Sequence, residues 1–561
     1  MSRYLKRYKG EWWDEKKLDD SDSKIVANFV FSTVASIAPL LTDNRPIWSA
    51  RARDPILDNY VDAFSLALEY LWDKLDMDQT VYKWVLDALI FGTGIVKCWY
   101  DPEEEESVIE VVDPRTFFIA PGYDDLWKAP FCGVRKRMPL SWIWQAFPAE
   151  KAKQVKPDSD DDSLPEDEWA AQEKMVTVDE VFIRDSSMEK VEADGEERPV
   201  YPHGRLLTYT KDVWLGSKAS PFQHGKPPYV ALRDYNIPHE FWGMGEVEQI
   251  EDMCMSFNRN LQLMDKWTQY YCDPPWLYDV NAGLGNAETV KKQLKQGGGF
   301  FGYNSGTVQS PDHALHKLAS TSIDPTIITQ MSAITKLIEE MSGVTDITKG
   351  MSVKSQRQSA TEISTLLESS YTRTRQRVRN LEDAIKRLLY LKMSNMMQFY
   401  SEPRQFSRKL EDGNGIERTA WPTISNQQDF AKQTLGSPTD AKTDEEAQEI
   451  SDRYKQFAER YGNLDRVYAA FDLEIQTNST LPMDKQSLAN LFLRLLEMAA
   501  GSPETAMPMW KATLAALHVP RHKEIISEMQ EMIQQSQQAQ APPPVPGGVP
   551  DMVSLMREGA A

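Results

Sequence analysis

Between Gly350 and Pro403 the chain has neither glycine nor proline. Glycine and proline are the strongest local interruptions of a helix, so few other folds suit such a stretch. Ile363, Leu367, Tyr371, Val378, Leu381, Ile385, Leu388 and Met396 fall on one face of it. The spacing predicts a helix of up to about 45 residues, about 65 Å long. Ordinary globular helices average near 11 or 12 residues, so this one is an architectural element. Its middle is basic, with Arg373, Arg375, Arg377 and Arg379. Alternate residues on a helix point in different directions, so these arginines cannot all meet one partner. Pairing with acidic neighbours in the chain is the expectation for them.

The rest reads as helix, then strand, then helix. Residues 1–90 read as helical. Asp54 and Pro55 give a start signal, and Leu57, Val61, Phe64, Leu68 and Leu71 follow at steps of three and four. Gly92, Thr93 and Gly94 break the pattern. IVKCWYD and SVIEVVDP then predict a hairpin with four glutamates at its tip. Further strand-like runs begin near 131, 176, 205 and 229, with an acidic loop, DSDDDSLPEDE, at 158–168. Helix returns at 244–272, where Val247, Ile250, Cys254, Phe257, Leu261 and Met264 form a narrow apolar seam. Asp273, Pro274 and Pro275 stop it. An insert at 276–322, rich in glycine and aromatics, precedes a second seamed helix. That helix starts at Asp324 and Pro325, carries Ile327, Met331, Ile334 and Ile338, and ends at Gly343. Residues 343–358 are a polar linker. Beyond about 440 four more helical segments precede a low-complexity tail. The fold class is α+β, mainly α-helical.

Chemistry is harder to find. No GxxxxGK[ST] loop, GxSxG elbow or HExxH pair is present. Gly297–Gly299 lead into Phe300 with no lysine. Of the seven histidines, only 313/316 and 518/522 have helical spacing, and Pro520 interrupts the second pair. The four cysteines form no CxxC pair, which disfavours both zinc and a disulfide framework. The acidic loop lacks the spacing of a calcium loop. No cofactor and no metal are expected, and no apolar run is long enough to cross a bilayer. Net charge is −21, the opposite of a protein that grips DNA by neutralising phosphates.

The order of segments is more telling than any motif. GTGIVKCWYDPEEEESVIEVVDPRTFFIAPG, FWGMGEVEQIEDMCMSFNRNLQLMDKW, EEMSGVTDITKGM and SATEISTLLESSYTRTRQRVRNLEDAIKRLL follow one another. In kind and order they resemble stretches carried by portal proteins of tailed bacteriophages. The resemblance covers about residues 25–400.

It implies a portal fold. Residues 1–243 and 359–435, with the long helix, would form the wing. Residues 244–272 and 323–342 would be the stem helices, whose seam is Val247, Ile250, Phe257, Leu261, Met264, Ile327, Met331, Ile334 and Ile338. Residues 273–322 would be the clip, with Trp276, Phe300, Phe301 and Tyr303 as docking candidates. Residues 343–358 would be a tunnel loop whose Lys349, Lys354 and Arg357 meet DNA. Residues 436–533 would be crown helices, and 534–561 a disordered tail. It also implies a homo-oligomeric ring, usually of twelve subunits, at one capsid vertex of the virion. Double-stranded DNA would pass through during packaging and ejection. The partners would be the terminase large subunit, the head-tail connector, and the major capsid and scaffolding proteins, with assembly in the host cytoplasm. No membrane and no enzymatic activity are implied. A head-tail adaptor or scaffold without a channel, and a terminase-type packaging enzyme, are the alternatives; the second lacks its nucleotide loop.

Overall fold

The N-terminal region is helical where apolar residues recur at steps of three and four. In the computed structural model the described residues are 1–13, 23–43, 45, 48–52, 58–158, 175–190, 197–272, 276–278, 286, 288, 315–317, 324–343, 360–400, 405–409, 416–420, 448, 451–452 and 471–475. Helix α1 spans Ser2–Lys9 and α2 Phe29–Thr42. The Asn28 side chain caps α2, accepting a hydrogen bond from the Phe31 amide at 3.1 Å. A short strand, β1 (Trp48–Ala52), precedes α3 (Asp58–Lys74) and α4 (Met77–Phe91). One face of α4 is apolar and buried through Val81, Trp84, Val85 and Leu89. It ends where Gly92 takes φ 86, a left-handed cap that favours glycine.

The chain then becomes a β-rich body. The hairpin of β2 (Thr93–Asp101) and β3 (Glu106–Val112) has the charged tip its sequence predicts. β4 (Phe117–Ile119), β5 (Phe131–Pro139), α5 (Leu140–Ala146), α6 (Ala149–Ala152) and β6 (Met175–Ile183) follow. After them come β7 (Met188–Lys190), β8 (Glu197–Pro199), β9 (Arg205–Thr210), β10 (Trp214–Ala219) and β11 (Tyr229–Arg233). Two sheets result. One has the order β11-β2-β3, the other β10-β9-β6-β5-β4. They share a core of Ile95, Val112, Phe117, Cys132, Val134, Phe182, Tyr229 and Phe241. Burying a large apolar side chain in this way contributes about 1.5–3 kcal/mol. Phe117 meets Tyr229 edge to face at 5.3 Å.

Helix α7 (Glu246–Cys272) leaves the β-body. Strands β12 (Trp276–Tyr278) and β13 (Leu315–Lys317) pair within the insert. α8 (Pro325–Ser342) returns along α7. Next comes α9, 40 residues from Ala360 to Phe399, about 60 Å long. It packs on β2, β3 and β11 through buried Val378, Leu381, Ile385, Leu388 and Met396. Its far end grips the hairpin: Tyr100 stacks on Phe399 at 4.4 Å. Nearby, the Lys392 ammonium donates to the Ser107 carbonyl at 2.6 Å.

One pairing departs from the sequence reading. β1 lies in a region read as helical, and it pairs with β16 (Phe471–Ile475) in a region read as terminal helices, Trp48 opposite Ile475. Each strand is five residues long. A short strand whose only partner is far along the chain leaves little local pattern to read. β14 (Gln405–Lys409) and β15 (Ile416–Ala420) form another two-stranded pair. The chain divides into two compact units. Residues 1–405 and 420–482 form the first, and residues 406–419 and 483–561 the second. Apart from residues 448 and 451–452, the four terminal helical segments read from the sequence lie outside the described residues.

Candidate functional site

The site is the pair α7 and α8 and the root from which they leave the body. Three glycines set that root. Gly243 and Gly245 belong to the loop that opens α7, and Gly92 closes α4. A Cβ on Gly243 would stand 2.6 Å from the Gly92 carbonyl oxygen, and one on Gly245 would stand 2.6 Å from that of Leu89. The Gly243 amide donates to the Thr93 hydroxyl at 2.8 Å. The Asp234 amide donates to the Gly92 carbonyl at 3.1 Å. The end of α4, the end of β11 and the start of α7 thus touch backbone to backbone.

Charge locks the same point. Arg377 of α9 is 4% exposed and pairs with two carboxylates, Asp234 after β11 and Glu246 at the start of α7, the latter fully buried. The Arg377 Nε to Asp234 Oδ1 distance is 3.1 Å. The guanidinium lies over the Tyr235 ring at 4.4 Å, and the Tyr235 hydroxyl donates to Glu246 Oε1 at 3.1 Å. Of the arginine cluster, Arg377 meets the acidic neighbours expected from the sequence, while Arg379 points to solvent. Burial pushes the Asp234 carboxyl up to about 7, with Arg377 opposing the shift.

The first turns of α7 are enclosed by the N-terminal segment. Arg7 Nε meets Glu251 Oε1 at 3.0 Å, and Arg3 meets the other oxygen at 2.8 Å. The Ala27 amide donates to the buried Asn258 at 2.8 Å. Phe29 packs edge to face on Phe257 at 4.9 Å. Val247, Ile250 and Cys254 are therefore fully buried. Phe257, Leu261 and Met264, farther out, are half-buried.

α8 starts at Asp324, whose Oδ1 accepts from the Thr326 amide at 2.9 Å, and stops at Gly343 with φ 71. Ile334 and Ile338 are buried, and Ile327 and Met331 are half-buried. The two helices leave apolar surface over. Leu263 is 58% exposed and Leu337 48%; Tyr271 and Ile328 are also exposed. At 100° per residue, Leu263 lies opposite the α7 seam, while Leu337 and Ile328 flank the α8 seam on its two sides. Trp267 stacks on Tyr271 at 5.1 Å next to Leu263.

Other residues singled out in the sequence are placed less fully. Trp276 is the first residue of β12, opposite Lys317. Phe300, Phe301, Tyr303, Lys349, Lys354 and Arg357 lie outside the described residues, as does the acidic loop from 159 onward. Sequence reasoning missed Asp234, Glu246 and the glycine contact. The glycines stood in two of the quoted segments, but nothing local says that they meet.

Among the described residues no group of three or more His, Cys, Asp or Glu side chains could hold a metal ion. All four cysteines are unpaired, and only Cys272 is exposed. A cleft of about 320 Å³ lies between β3 and β5. In its charged lining Arg135 pairs with Asp179 at 2.8 Å and Lys136 with Glu110 at 3.6 Å, while among the described residues Arg137 Nε has no hydrogen-bond partner. Buried His224 is pushed down to about 3 by desolvation, far from the range of a general base at neutral pH. No described helix is long and apolar enough to cross a membrane.

No curated protein matches the chain. The family model described as phage P22-like portal protein matches residues 3–548, nearly the whole length. By that match the chain belongs to the P22-like family of tailed-phage portal proteins, structural components of the virion.

Proposed function

We propose that copies of this chain close into a ring, of twelve subunits, that conducts double-stranded DNA through one capsid vertex. The observation that carries this reading is the surplus apolar surface of α7 and α8. Two helices that satisfied each other would bury Leu263 and Leu337; here Leu263 faces away from its seam, Leu337 flanks its own, and both stay exposed. Apolar surface on more than one side of such an arm suits a heterologous contact repeated around a closed ring.

In this reading residues 1–243 and 359–435 form the wing, and 244–272 and 323–342 the stem around the channel. Residues 273–322, with Trp276, Phe300, Phe301 and Tyr303, form the clip. The clip docks the terminase large subunit during packaging and the head-tail connector afterwards. Residues 436–533 form the crown, and the capsid and scaffolding proteins hold the ring at its vertex. The ring assembles in the host cytoplasm and supplies no catalysis of its own.

The charge balance fits a conduit. A channel that bound phosphates tightly would stall sliding DNA. A ring of subunits each carrying −21 repels the duplex overall. A few cations suffice to steady it, and Lys349, Lys354 and Arg357 of the tunnel loop 343–358 are assigned that part. Replacing all three with alanine should lower packaging or DNA retention while rings still assemble. Normal packaging and retention in that variant would remove the assignment.

A further inference from the structure

The buried junction at the root of α7 holds one carboxylate too many. Arg377 supplies one positive charge, and Asp234 and Glu246 supply two carboxyl groups, all three almost fully buried. Among the described residues Asp234 Oδ2 and Glu246 Oε2 have no hydrogen-bond partner. The groups facing them from every packed element are known. α9 presents Arg377, α7 presents Glu246, and Tyr235 and Arg233 flank Asp234 in its own segment. Arg233 is engaged elsewhere, donating to the Glu240 carbonyl at 3.2 Å. α2 and α4 present only Leu41, Val85, Ala88 and Leu89. The void beside Asp234 and Arg377 is about 10 Å³, at most the size of one water. Among the described residues the ion pairs give the two carboxylates only Arg377 as counter-charge, and a buried unpaired carboxylate is costly enough that it takes up a proton instead.

We propose that this junction binds one proton in the folded protein, carried by Asp234. The root of α7 is then held to α9 more firmly in acid than at neutral pH. Glu246 remains the counter-ion of Arg377, supported by the Tyr235 hydroxyl. The direction of titration agrees: burial raises the Asp234 carboxyl from 3.8 to about 7. Opening the junction to water returns it to the ordinary value. Between those values the closed form binds the extra proton and the open form does not. Each pH unit upward in that window therefore favours opening by up to about tenfold, and the effect levels off above about 7. The proposal concerns this junction alone and stands apart from the ring reading.

Hydrogen exchange on the assembled full-length protein reads the junction directly. Peptides covering 229–250 and 374–385 would be followed from about pH 5 to about pH 8.5, with rates corrected for intrinsic amide chemistry. Wild-type opening should rise by up to about tenfold per unit to about pH 7 and then flatten. Asp234→Asn, nearly isosteric, should remove the slope. Glu246→Gln leaves one carboxylate to one guanidinium and should also remove it, which keeps the test intact if the first variant misfolds. A flat wild-type profile, or an unchanged slope in either folded variant, would overturn the proposal.

Discussion

Gly92 and Gly243 meet backbone to backbone, so close that a Cβ on Gly243 would stand 2.6 Å from the Gly92 carbonyl oxygen. That contact sets where the α7–α8 arm leaves the β-body. Gly243→Ala should therefore cost several kcal/mol, on the order of the larger single-residue effects. Gly122→Ala is the control. Gly122 has positive φ, at 83, with open space around it, whereas Gly243 is not in the left-handed region, so at Gly122 only about 1 kcal/mol of backbone strain is expected. Denaturant unfolding of the two variants tests the difference; a loss at Gly243 no larger than that at Gly122 would contradict the contact's role.

Arg377 should stand alone among its basic neighbours. Arg377→Met leaves two buried carboxylates without their cation, a change that costs about 3–5 kcal/mol. Arg379→Ala, on the exposed side of the same helix, should stay within about 0.5 kcal/mol. Thermal unfolding of both variants checks this, and similar losses would contradict the assigned role.

These two sites mark what the sequence could and could not reveal. The caps at Asp324 and Gly343 and the β2–β3 hairpin rest on local rules, and each was legible in residues a few positions apart. The partners of Arg377 and the meeting of Gly92 with Gly243 join segments far apart in the chain. A single sequence carries no sign of them beyond an arginine in an apolar stripe and a glycine before a helix. β1 and β16 were missed for the same reason, since each has only the other to pair with.

Lys392 offers a pH test at the other end of α9. It is buried, donates to the Ser107 carbonyl, and burial pushes it down to about 8 from the usual 10.5. The folded protein thus holds this proton less tightly than the unfolded chain. Stability should rise with pH between about 8 and 10.5, by up to about 3 kcal/mol in total, and the penalty stays constant below about 8. Lys392→Met should remove that rise. Chemical unfolding at several alkaline pH values measures it, and an identical slope in the variant would refute it.

Leu263 and Leu337 separate assembly from folding. Both are exposed in the single chain, so Leu263→Asn or Leu337→Asn should change subunit stability by about 0.5 kcal/mol or less. If neighbouring copies cover these positions, either change should lower the fraction of assembled rings in sedimentation. Rings as stable as wild type would place the subunit contact elsewhere.

The most direct measurement is an image of the purified full-length protein. Electron-microscopic class averages should show a closed ring with an axial opening wide enough for a DNA duplex. A monomer, an open filament or a closed disc without a hole would contradict the account.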